Sequence, residues 1–159
     1  MENIKTIPLK SISKISTELR YQENKSIPDI PIYGLQEAAS FCYQEIGNKC
    51  VEHVLVLYLS TSYQLIAYSL AAIGTESKCT YSVSEIIRCA LLCNATQILL
   101  AHNHPSGNLL PSDEDLQATK QLARAAKLFN IKIIDSIIIS PSGESCSMRQ
   151  HLRTEEAKA

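Results

Sequence analysis

Apolar positions recur along the chain with two different periods. Leu35, Ala38, Ala39, Cys42 and Ile46 are spaced to share one face of a helix, and Gly47 is a natural stop. Val51–Leu59 is a continuous apolar, β-branched run and predicts a mostly buried strand. Thr61-Ser62 predicts a tight connection into a second, antiparallel strand over Tyr63–Ile73. Ser82-Val-Ser-Glu85 has the capping-box pattern and opens a helix to about Leu92. Thr96–His102 reads as a short buried strand. Ser112-Asp-Glu-Asp115 has the capping-box pattern again, ahead of a helix with Ala118, Leu122, Ala125, Ala126 and Phe129 on its core face. Asn130 suits the C-terminal cap. Ile131–Ile139 predicts another strand, Pro141-Ser-Gly143 a turn, and Ser145–Met148 a returning strand.

The predicted order is therefore helix, two strands, helix, strand, helix, two strands. It implies an α/β fold, with one mixed sheet flanked by helices. Residues 1–33 read as an N-terminal extension in which Ile4–Leu9 is a candidate edge strand and Glu23–Ile32, with Pro28 and Pro31, an extended linker. Residues 153–159 read as a C-terminal tail.

Composition narrows the picture modestly. A chain of 159 residues suits one domain, and 45% hydrophobic against 19% charged residues excludes a wholly disordered chain. The formal net charge of -1 gives no global sign of a nucleic-acid binder. No secretory signal or membrane-length apolar run is evident, so a cytoplasmic protein without membrane partners is expected. The six cysteines (Cys42, Cys50, Cys79, Cys89, Cys93 and Cys146) contain no C-x-x-C pair, and reduced thiols are expected.

The candidate chemistry lies in Ala101-His-Asn-His-Pro-Ser-Gly-Asn-Leu-Leu-Pro-Ser-Asp-Glu-Asp115, where a buried strand runs out towards a helix N-terminus. Residues two apart in an extended chain point the same way, so His102 and His104 can converge. Pro105 biases His104 towards the extended region. Asp115, in the first turn of the next helix, can complete a three-ligand zinc site with one position left for water. The plain alternative is that Ser112 and Asp115 only cap a helix, with the histidines as loop residues. The two readings of Ser112 are compatible.

This segment resembles the JAMM signature of the MPN(+) metallopeptidases: H-x-H, ten residues, then D, with a serine three before the aspartate. His102-Asn-His-Pro-Ser-Gly107 is similar to the RadC branch of that superfamily. Glu52-x-Val54-Leu-Val-Leu-Tyr-Leu59, Gly74-Thr75, Ala95, Leu99–Ala101, Ile133-Ile-Asp135 and Ser147-Met-Arg149 extend the resemblance over residues 34–152. It implies a single MPN/JAB domain, cytidine deaminase-like in architecture. It also implies one Zn2+ on His102, His104 and Asp115, Glu52 as general acid/base, and Ser112 as the group that stabilises the transition-state oxygen. His53 should point away from the site. Two departures stand out. Residues 1–33 are too short for the helix-hairpin-helix segment of longer RadC proteins, so the short form is the expected match. Ser136 stands where the family usually has histidine after the aspartate.

The resemblance implies a zinc-dependent hydrolase cleaving peptide or isopeptide bonds of a protein or peptide substrate. The RadC group is traditionally associated with DNA repair or recombination, and Lys120, Arg124 and Lys127 lie along one helix face that could contact phosphates. Such a stripe is more often a solvated face that suits the helix C-terminus. A metal-bound scaffold without activity is a further alternative. A deaminase is excluded by the lack of H-x-E and P-C-x-x-C.

Overall fold

A computed structural model describes residues 31–74 and 80–150 of the chain. Its elements follow the order predicted from the periodicities. Helix α1 spans Leu35–Cys42 and runs on into a π-helical turn, Tyr43–Gly47. Strands β1 (His53–Leu59) and β2 (Leu65–Ile73) follow, then α2 (Val83–Leu92), β3 (Gln97–Asn103), α3 (Asp113–Lys127), β4 (Lys132–Ile139) and β5 (Ser145–Ser147). The candidate strand Ile4–Leu9, most of the proline-bearing linker and the tail 153–159 lie outside the described residues.

The sheet order is β2-β1-β3-β4-β5. β3 and β4 are parallel, joined through α3, and the other pairs are antiparallel. Of the three inner strands, β1 and β3 are buried along their whole length, which explains why both read as apolar runs rather than alternating ones. Val54, Val56, Tyr58, Ile98 and Leu100 pack under α2 and α3, on Ile86, Ala90, Leu122 and Ala126. Leu55, Leu57, Leu59, Leu99, Ala101, Ile137 and Ile139 face the other way, onto Ala38, Ala39, Cys42 and Ile46 of α1 and its π-turn. Ile32 already belongs to this second core, at 5% exposure.

The helix ends show their causes. Ser82 caps α2 by accepting the Glu85 amide at 3.4 Å. Ser112 and Asp115 form a reciprocal capping box at α3. Asn94 and Asn130 both adopt left-handed backbone, and the amides of Ala95 and Ile131 reach back five residues to Ala90 and Ala126. These are Schellman-type endings. One expectation needs correcting. The periodicity predicts Phe129 on the core face of the last helix, but α3 stops at Lys127 and Phe129 is 49% exposed in the turn beyond.

Cys42, Cys50, Cys89, Cys93 and Cys146 are free thiols, with Cys42 and Cys93 buried; Cys79 lies outside the described residues. Among the described residues, no helix is long and apolar enough to cross a membrane.

Candidate metal centre

Three elements meet at one end of the sheet: the end of β3, the start of α3 and the entry to β1. Alternation along β3 sends Ile98, Leu100 and His102 to the face covered by α3. The chain then leaves the sheet. The His104 amide donates to the Ile139 carbonyl at 2.9 Å, and the Gly107 amide donates back to the His104 carbonyl at 3.0 Å. Gly107 has φ +79°, which favours glycine, and the turn redirects the chain towards Ser112.

His102, His104 and Asp115 converge there, with one ligand atom from each within 4.8 Å of the others. The two Nε2 atoms are 3.0 Å apart. His102 Nε2 lies 3.5 Å from Asp115 Oδ1, and His104 Nε2 lies 3.9 Å from Asp115 Oδ2. Ligands 2.0–2.1 Å from a tetrahedral zinc sit about 3.3 Å from one another. The separation between the histidines and that from His102 to Asp115 Oδ1 lie close to that value; taken as one donor atom per residue the set spans up to 4.8 Å, so the side chains must draw together to close on such an ion. The side chains are 8%, 12% and 22% exposed, shielded but not sealed.

Second contacts orient two of the ligands, His104 and Asp115. His104 Nδ1 meets the Asn108 carbonyl at 2.5 Å. A carbonyl only accepts, so Nδ1 carries the proton and the Nε2 lone pair is left to face the other ligands. Asp115 accepts from the Ser112 hydroxyl at 2.6 Å and the Ser112 amide at 2.9 Å, both on Oδ2, and leaves Oδ1 towards His102. Its own amide donates to Ser112 Oγ at 3.1 Å. Burial alone would raise the Asp115 carboxyl. The His102 imidazole and the Ser112 hydroxyl and amide outweigh it and hold the group well below the usual carboxylate range. Asp115 is therefore a carboxylate, as a metal ligand must be. Nearby, burial pushes the Tyr81 phenol up to about 12, with the Asp115 charge adding to the shift, so Tyr81 stays neutral.

Glu52 lies just before β1 and is half-buried. Strand alternation puts it on the side of Val54 and Val56, the same face as His102 and α3. Val54 pairs with His102, the last pair of the β1–β3 ladder, and Glu52 lies two residues beyond it on the β1 side. It is not one of the three converging ligands. His53 points away, its Nδ1 donating to the Val51 carbonyl at 2.8 Å. Lys120, Arg124 and Lys127 are exposed along α3 and are not part of the converging set. Ser136 is buried beside Leu100, in the β4 register next to β3.

Two groups escaped the sequence reading. The Asn108 carbonyl has no sequence signal. Asn103 did have one: alternation must turn it away from its histidine neighbours into the core, where an amide needs partners.

The family described as the RadC-like JAB domain matches residues 32–153. The chain belongs to that family. Among its relatives, a UPF0758 protein of Finegoldia magna is 39% identical over 113 residues, 71% of this chain and 50% of the relative. A UPF0758 protein of Bordetella avium is 38% identical over 105 residues, covering 66% and 47%. One from Chlorobaculum tepidum is 29% identical over 147 residues, covering 92% and 64%. The chain thus spans about half to two thirds of the length of these relatives. The five-stranded mixed sheet with helices on both faces accords with a single RadC-like JAB domain.

Proposed function

We propose that this RadC-like JAB domain is a zinc-dependent hydrolase of peptide or isopeptide bonds. The observation that carries the reading is the convergence of His102, His104 and Asp115, one donor atom from each within 4.8 Å of the others, with the proton of His104 fixed on Nδ1. A divalent cation held by these residues would supply Lewis acidity, polarising a carbonyl and acidifying a water towards neutral pH. The chain's own groups do the rest. Glu52 takes a proton from the attacking water and returns it to the nitrogen that leaves when the C–N bond breaks. Ser112 holds Asp115 through Oδ2. Its hydroxyl proton is engaged there, so stabilising a developing oxyanion requires the hydroxyl to rotate away from that carboxylate.

The test is a screen of zinc-loaded protein against fluorogenic peptide and isopeptide-linked libraries, with Glu52→Gln as control. Turnover that Glu52→Gln lowers by about 100-fold or more supports the reading. Turnover unchanged in that variant, or none with zinc bound, rejects it.

A second reading, nucleic-acid binding without hydrolysis, is favoured by the exposed ridge of Lys120, Arg124 and Lys127. Phosphate contacts there predict DNA affinity that falls steeply with salt and weakens in a Lys120→Ala/Arg124→Ala variant. Two of these residues, Arg124 and Lys127, also lie in the last turn of α3 and complement its C-terminal end, as Asp113, Glu114 and Asp115 complement its first turn. No measurable binding at low salt removes this reading.

A further inference from the structure

We propose that Asn103, the residue between the two histidine ligands, is a positioning residue that fixes Glu52 relative to them. The proposal rests on the hydrolase reading above, in which Glu52 carries the proton.

Asn103 is completely buried. A buried amide without partners costs several kcal/mol, and here every bond goes to one short segment. Its Oδ1 accepts from the His53 amide at 2.7 Å. Its Nδ2 donates to the Val51 carbonyl at 3.1 Å and the Lys49 carbonyl at 3.2 Å. Val51 and His53 flank Glu52 on either side. The paired register between β1 and β3 ends at Val54 and His102. The Asn103 side chain carries the connection past that end and grips the backbone on both sides of Glu52. From the other side, the Gly74 amide donates to the Glu52 carbonyl at 2.8 Å.

The consequence follows from alternation. His102 and His104 flank Asn103 in the chain and belong to the ligand cluster, while Asn103 reaches to the opposite face and holds the strand that presents Glu52. One side chain therefore sets the height of the base above the ligands. Leucine at this position would fill a similar volume and make none of the three bonds. Aspartate keeps an acceptor for His53 and loses both donors. A purely structural clip would act on stability and metal uptake alike. A positioning residue acts on the chemical step, and only through Glu52.

The experiment compares wild type, Asn103→Leu, Asn103→Asp, Glu52→Gln and Asn103→Leu/Glu52→Gln, all as the full chain. Three quantities are read: zinc per chain, amide hydrogen exchange over residues 49–54, and turnover of a fluorogenic peptide library. The expected result for Asn103→Leu is unchanged zinc content and exchange over 49–54 faster by about tenfold. Its kcat falls by about 100-fold with KM little changed. Asn103→Asp falls between, and it replaces Asn103→Leu should that variant fail to fold. The double variant is no slower than Glu52→Gln alone. Wild-type kcat in the Asn103 variants, unaltered exchange over 49–54, or losses that add to those of Glu52→Gln would overturn the inference while leaving the hydrolase reading in place. A zinc-loaded wild type that cleaves nothing removes the hydrolase reading and the proposal with it.

Discussion

Asp115 divides its work between two oxygens. Oδ2 closes the capping box with Ser112, and Oδ1 is left towards His102. The cap and the ligand are thus one residue, and Ser112 bears on both. Ser112→Ala should lower stability by about 1 kcal/mol through the lost cap. It should also weaken zinc binding by about tenfold, because the carboxylate loses the partner that orients it. Thermal melting and chelator competition read the two effects separately, and a cap loss with unaltered zinc affinity would refute the second. The histidine pair, the aspartate and the serine were legible because their spacing matches strand alternation and a helix start. Asn103 was passed over because a lone asparagine in a motif carries no chemistry until its partners are known. The Asn108 carbonyl was invisible because backbone groups have no residue signature.

At the scale of elements, each helix and strand among the described residues was legible in kind and order. The apolar runs are long and their breaks carry strong turn residues. What the periodicity could not show is the π-turn after α1, since one extra residue per turn shifts the face without changing composition. It also placed Phe129 wrongly, because the apolar stripe continues past the point where the Asn130 ending stops the helix. Gly47 closes the π-turn for a packing reason. A Cβ there would stand 2.2 Å from the Tyr43 ring. Tyr43 has little room to move, because its hydroxyl donates to the Pro141 carbonyl at 3.1 Å across to the β4–β5 turn. Gly47→Ala should therefore destabilise the fold by about 2 kcal/mol, read as a lower urea midpoint with an unchanged slope. An alanine variant as stable as wild type would show that the ring yields freely.

For the molecule as a whole, the ligands join two elements separated by a loop: the end of β3 and the start of α3. An ion bound only by the folded chain adds its binding free energy to stability. Zinc at a thousand times its dissociation constant should add about 4 kcal/mol. That is a rise in Tm of about 10 °C for a chain of this size, reversed by a chelator and absent in His104→Ala. An equal rise in that variant would place the zinc elsewhere. The family and its fold were readable from the sequence because the motif sits within a long run of supporting matches. The substrate was not, since no residue pattern in the chain names what docks beside the ligands.

His102, His104 and Asp115 are proposed to form a metal centre. The most direct test is the zinc content of wild type and His104→Ala, purified in parallel, reconstituted and measured by elemental mass spectrometry. About one zinc per wild-type chain, lost in the variant, is the result predicted here for a three-ligand site. A wild type that takes up no metal on reconstitution, or a variant that keeps as much as wild type, would contradict it.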